Sequence, residues 1–256
     1  MNTIAILNQK GGVGKTTSTI NIAGELSLRG KKVLVIDGDS QGNATQNLGM
    51  YTPDNLTISD VLLGKKNIND VILKTSLENI DLIPANLELQ YAEMSLQQRV
   101  TRNDNVLKKA MFELKTAYDY VLIDCPPSLS TMTVNILTYV ENVLIPVKTD
   151  RNSLEGYERL LSVVDAIRQD SNEKLKVLGI FITVFEKQTV LDKQIYEDVQ
   201  NGLGDLFINV PIRKCIEVRE APLANLPVSY YSKNSNGTED YRNLTTMIIE
   251  RMRGNE

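Results

Sequence analysis

Two kinds of apolar pattern alternate along the chain: brief, nearly continuous runs of Val, Ile and Leu, and longer stretches in which apolar residues recur every three to four positions. The first reads as strands buried on both faces and the second as helices covering them. The chain therefore predicts an α/β fold with a doubly wound, mainly parallel sheet flanked by helices. Strands are expected at Thr3 to Asn8, Lys32 to Asp37, Ile80 to Pro84, Tyr120 to Asp124, Asn142 to Val147 and Val177 to Thr183. Helices are expected at Lys15 to Arg29, Asn103 to Ala117, Ser153 to Gln169, Thr189 to Asn201 and Thr238 to Arg253. In the third of these, Leu154, Tyr157, Leu161, Val164 and Ile167 keep helical spacing behind Ser153, a suitable N-cap. No repeat, low-complexity tract or long Pro/Gly/Ser linker divides the chain, so residues 1–256 are expected to form one domain. Tyr51 to Gln98 is less regular and reads as a peripheral insertion, and Tyr230 to Gly237 as an exposed loop.

Composition narrows the chemistry. The longest apolar stretch, Val177 to Phe185, falls far short of the ~18 residues that span a bilayer. No positive charge precedes the short apolar run Ile4 to Leu7, so a signal peptide is not expected. Two cysteines, Cys125 and Cys215, exclude a disulfide framework, and the cytoplasm is the expected compartment. With no histidine, neither a Ser-His-Asp triad nor His-ligated zinc nor an imidazole base is available. A net charge of −4 argues against global attraction to nucleic acid and leaves room for a local basic patch.

The strongest signal lies where the first strand meets the first helix. Thr3-Ile-Ala-Ile-Leu-Asn8 runs into Gln9-Lys10-Gly11-Gly12-Val13-Gly14-Lys15-Thr16-Thr17. A phosphate loop needs glycines so that backbone N–H groups can surround an anion, a lysine for the outer phosphates and a hydroxyl for Mg²⁺. Gly14-Lys15-Thr16 meets that need, although Gln9 stands where the strict pattern has glycine. A turn that merely joined strand to helix would not account for two lysines beside a helix N-terminus.

Lys10-Gly-Gly-Val-Gly-Lys-Thr-Thr17 resembles the deviant Walker A motif of the ParA/MinD class of P-loop ATPases, which also holds nitrogenase iron protein and arsenite-pump ATPases. Asp37-Gly-Asp-Ser-Gln-Gly-Asn43 looks like the family's Asp-x-Asp-Pro-Gln switch segment, with Ser40 in place of proline. Tyr120-Val-Leu-Ile-Asp-Cys-Pro-Pro-Ser128 is similar to its Walker B strand and second switch, and Glu220-Ala-Pro222 to a late tripeptide. The match is nearest to partition ATPases of the ParA/Soj type. The resemblance implies ATP and Mg²⁺ as cofactors, held by Gly11, Gly12, Val13, Gly14, Lys15, Thr16 and Thr17. Thr16 would be a metal ligand, Asp124 would reach the metal through a water and Asp37 would support its outer shell. Asp39 would position the attacking water. Lys15 would stay on its own nucleotide, while Lys10 would cross to the partner's ATP in a homodimer. Taken singly, each of the aspartates 37, 39 and 124 also suits a turn or cap.

The same resemblance implies ATP-dependent, sequence-independent DNA binding, a nucleoid-associated location and a ParB-like centromere-binding partner. The basic cluster Arg213, Lys214 and Arg219 is the DNA-contact candidate, with Lys187, Lys193 and Lys233 as contributors. Glu217 stands where partition ATPases often carry arginine. No extension precedes the first strand, so the helix-turn-helix of larger partition ATPases is not expected. The alternatives are a MinD-like membrane-cycling ATPase, an iron-sulfur reductase, a non-catalytic scaffold and an ATPase positioning another cargo. Membrane cycling would need an amphipathic C-terminus. Tyr241, Leu244, Ile248 and Met252 do form a stripe, but Glu250 and Glu256 dilute its charge, so packing against the domain is expected. The spacing of Cys125 and Cys215 does not suggest paired cluster ligands.

Overall fold

The computed structural model describes residues 1–98, 103–149 and 153–254. Among them seven strands form one sheet: β1 (Asn2–Ile6), β2 (Val33–Asp37), β3 (Leu73–Lys74), β4 (Ile80–Ile83), β5 (Tyr120–Asp124), β6 (Asn142–Lys148) and β7 (Lys176–Thr183). Their order is β3-β4-β2-β5-β1-β6-β7, and all neighbours are parallel except the two-residue edge strand β3. The helices are α1 (Lys15–Leu28), α2 (Asn43–Asn47), α3 (Ile58–Leu62), α4 (Glu88–Gln97), α5 (Val106–Met111), α6 (Thr131–Tyr139), α7 (Ser153–Asp170), α8 (Val190–Leu203), α9 (Ile216–Glu220), α10 (Val228–Tyr231) and α11 (Asn236–Arg253).

The two-residue period of the strands divides the core into two layers. Ala5, Leu34, Ile36, Val121 and Ile123 join Leu96 of α4, Ile136 of α6, Leu160 of α7 and Ile195 of α8 on one face. Ile4, Ile6, Val33, Val35 and Leu122 join Leu26 of α1 and Leu244 and Ile248 of α11 on the other. Every central strand is therefore covered on both sides, and its apolar run has no polar face to alternate with.

Three expectations need correction. The helix expected at Asn103 to Ala117 shrinks to α5, because Asn135 of α6 accepts the N–H groups of Val106 and Leu107 and so fixes the helix start there. Past Met111 the chain turns, leaving Phe112 exposed. Tyr51 to Gln98 is not peripheral: Ile58, Leu62, Ile68, Leu89 and Leu96 are wholly or almost wholly buried in the first layer. Tyr230 to Gly237 is not a free loop, since it ends α10 and opens α11, whose first turn is capped by Ser235 Oγ accepting from Thr238 N. The expected packing of the C-terminal stripe is found, with Tyr241, Leu244 and Ile248 buried in the second layer. The side chains of Ser153 and Leu154, and all of Glu256, lie outside the described residues.

Candidate nucleotide site

Strands β1, β2 and β5 deliver their carboxyl ends side by side, which is where ligands bind in open α/β sheets. The β1-to-α1 loop is anchored at both ends. Asn8 donates from Nδ2 to Pro146 O on β6 (2.7 Å) and accepts Lys10 N at Oδ1 (2.9 Å). Thr183, ending β7, donates its hydroxyl to Val13 O at 2.8 Å and Val147 O at 3.2 Å. Carbonyl and N–H of one trans peptide point in opposite directions, so tying down Val13 O turns the Gly14 N–H away from β7. Gly14 itself holds φ +86°, a left-handed conformation that admits a side chain only with strain, and it caps α1 without a side-chain hydrogen bond. The loop's N–H groups are thereby left at the head of a 14-residue helix.

Below the loop lie two carboxylates. Asp37 and Asp124 end β2 and β5 in direct register, and both are buried. Gly38 permits this: its N–H donates to Asp124 O, and a Cβ there would stand 2.8 Å from the same oxygen. Asp37 accepts the Thr45 N–H (2.8 Å) and hydroxyl (2.7 Å), yet burial still pushes its carboxyl up to about 6. Asp124 is raised well above the ordinary carboxylate range by burial first and by repulsion from Asp37 second. Lys15 is also buried; desolvation lowers its pKa, opposed chiefly by Asp124.

The residues present fit a magnesium ion. Thr16 Oγ1 lies 2.6 Å from Asp124 Oδ2, while Asp124 Oδ1 is buried without a hydrogen-bond partner. A buried carboxylate oxygen lacking a donor beside a hydroxyl is a hard-oxygen pair suited to this cation. Among the described residues no three acidic or cysteine side chains converge on a metal, so the protein offers an incomplete shell of the kind Mg²⁺ completes with water and phosphate.

A cleft of about 780 Å³ opens above these groups, lined by Gly11, Gly12, Gly14, Lys15, Thr16, Thr17 and Asp39, and across from them by Ile212, Val218, Pro222 and Tyr241. Lys10 is half-buried and contributes its carbonyl oxygen, which accepts Lys15 Nζ at 3.1 Å; it is not among the cleft-lining residues. Val13 is buried beneath the loop. Asp39 lines the cleft and fixes the switch turn by accepting Gln41 N at 3.0 Å.

Arg213, Lys214 and Arg219 also line this cleft. Arg213 grips Asp240 at 2.6 Å and Glu239 at 2.7 Å, and Lys214 pairs with Glu186 at 2.8 Å, while Arg219 is exposed on α9. Lys187, Lys193 and Lys233 are exposed, the first two around a second hollow of about 490 Å³ that Arg213 also borders. Cys125 is buried and Cys215 donates to Glu217. Three contributors escaped the sequence reading: Asn8, Thr183 and Lys148, the last lining the cleft from the end of β6. Thr183 and Lys148 belong to strand ends that only the sheet order brings to the loop, and Asn8, already beside the loop in sequence, acts through the adjacent strand β6, so neither spacing nor composition marks these roles.

A family model described as an AAA domain matches residues 1–177. The chain is 39% identical to the chromosome-partitioning ATPase Soj of Treponema pallidum, covering 97% of each chain. It is 36% identical to the chromosome partitioning protein ParA of Caulobacter vibrioides over 99% of this chain and 96% of that one. A structure titled cobyrinic acid a,c-diamide synthase from Mycobacterium smegmatis, with bound ATP analogue and magnesium, superposes with a TM-score of 0.85 at 30% identity, covering 100% and 97% of the two chains. With phosphate loop, paired strand-end carboxylates and sheet order in agreement, the chain belongs to the ParA/Soj family of P-loop partition ATPases.

Proposed function

We propose that this protein hydrolyses Mg-ATP to ADP and phosphate, pairs with a second copy of itself in the ATP state, and in that state holds DNA without sequence preference to partition a plasmid or chromosome. The observation that carries the reading is the in-register pair Asp37 and Asp124, the second bonded to Thr16, beside a glycine loop whose residues line an open cleft.

Gly11 to Thr17 would surround the phosphates with backbone donors, and Lys15 would leave its loop carbonyl for the outer phosphate oxygens. Ile212, Val218 and Pro222 offer the base an apolar wall. Magnesium, when bound, would neutralise charge on the phosphate oxygens; Thr16 and Asp124, the latter through water, would hold it, with Asp37 behind them. Asp39 would orient a water so that its oxygen attacks the terminal phosphorus while the bridging oxygen departs with ADP. Lys10 of each copy would reach the other copy's triphosphate and stabilise the charge that develops there, tying hydrolysis to dimerisation.

DNA binding would fall to exposed cations around the cleft mouth, with Arg219 better placed than Arg213 and Lys214, whose charges are engaged by Asp240 and Glu239 and by Glu186. Such a patch on an acidic protein is weak alone and gains from doubling in a dimer. A ParB-like centromere-binding protein would stimulate turnover, and the cycle would run in the cytoplasm on the nucleoid.

Sedimentation with a non-specific duplex in ATP, ADP or no nucleotide tests this. A DNA-bound species of dimer size is expected with ATP alone. Arg219→Gln should lower the slope of log affinity against log salt by about one per contact. Equal DNA binding in all three states would overturn the reading.

A further inference from the structure

We propose that Lys148 is a further phosphate-binding residue, directed at the outermost phosphate and so a determinant of ATP over ADP. The inference rests on the Mg-ATP reading of the cleft. Lys148 ends β6 in register with Thr183 of β7, and the two side chains meet the loop at different points. Thr183 bonds Val13 O and packs 3.7 Å from where a Cβ on Gly14 would stand. The Lys148 ammonium lies 3.8 Å from the corresponding position on Gly12.

Burial and charge give this placement its meaning. Lys148 is half-buried and lines the cleft. Among the described residues, none of the hydrogen bonds or ion pairs engages its ammonium, and the carboxylates Asp37 and Asp124 end β2 and β5, with β1 between those strands and β6. A lysine ammonium is compact and strongly hydrated, and holding it beside a glycine loop sacrifices hydration without gaining a side-chain acceptor there. An anion in the cleft supplies the acceptor.

The position along the loop decides which part of the anion. Gly14, Lys15 and Thr16 sit at the head of α1, where backbone N–H groups would hold the inner phosphates. Gly12 belongs to the half of the loop nearer β1, and a cation above it is matched to the far end of a triphosphate. A point charge there adds affinity for a group that ADP lacks.

Calorimetric titration with ADP and with a non-hydrolysable ATP analogue, both with magnesium, tests the proposal. Lys148→Gln should weaken the analogue by about tenfold and ADP by less than about threefold, and Lys148→Arg should recover most of the loss. Unfolding midpoints verify that each variant is folded. Equal losses for both nucleotides, or none for either, would overturn the assignment. Lys15→Ala separates the two levels: if it abolishes binding while Lys148→Gln changes nothing, only the Lys148 assignment fails. If Lys15→Ala binds both nucleotides as the parent does, the cleft is not the nucleotide site and both readings fail.

Discussion

Thr183 has one hydroxyl proton and two carbonyls to serve, at 2.8 Å on Val13 and 3.2 Å on Val147. Thr183 is 2% exposed and Val13 is 1% exposed, so water has little access to replace a lost donor. Thr183→Val keeps the shape and deletes the hydroxyl. An orphaned buried acceptor costs about 1–3 kcal/mol. Here the penalty falls on the peptide that aims the Gly14 N–H, so rotating that peptide becomes cheaper and bound nucleotide must restore its orientation. At the lower-middle of the range, about 1.5 kcal/mol, affinity falls roughly tenfold. In the proposed site that N–H would serve the inner phosphates, so ADP and ATP should lose equally, in contrast to Lys148→Gln. Calorimetry with each nucleotide and magnesium gives the affinities, and thermal unfolding gives the stability. Thr183→Ser keeps the hydroxyl and should bind within about threefold of the parent. A Thr183→Val protein with parental affinity and stability would refute the claim that this hydroxyl holds the loop.

Two further perturbations follow from the charges around the cleft. Asp37 titrates at about 6 in the folded protein against an ordinary 3.8, so between those values the fold keeps a proton that the unfolded chain has released. Its stabilising contribution is complete below 3.8 and is lost as pH rises through about 6; in nucleotide-free protein Asp37→Asn should flatten the pH dependence of urea unfolding across that window by about 3 kcal/mol, and an unchanged slope would count against the burial argument. Arg213→Ala leaves Asp240, only 8% exposed at its side chain, without its guanidinium; a stability loss of about 2 kcal/mol by urea titration is expected, and a variant as stable as the parent would show that the ion pair contributes nothing to the fold.

The sheet was legible because buried parallel strands are written as short apolar runs, and all six expected strands are present with ends displaced by at most two residues. Strand β3 was not, since two residues pairing at an edge leave no periodicity to read. The short helices α2, α3, α9 and α10 run four or five residues, too few to show a helical period, although α3 does carry a local capping box of Thr57 and Asp60; the start of α5 is set by Asn135 of α6. At the site, glycines, lysines and aspartates announce themselves by type and spacing. Asn8, Thr183 and Lys148 do not, because their work depends on strand order and on the direction of a peptide plane. The basic cluster shows the converse limit: Arg213 looks like a free cation in sequence and is committed to Asp240 and Glu239 in the fold.

The central claim, that two copies complete each other's sites through Lys10, is tested most directly by sedimentation velocity of the parent and Lys10→Ala with a non-hydrolysable ATP analogue and magnesium. The account predicts a dimer for the parent and a monomer for Lys10→Ala that still carries nucleotide. A parent that stays monomeric with its cleft filled, or a Lys10→Ala protein that dimerises and hydrolyses ATP at the parental rate, would contradict it.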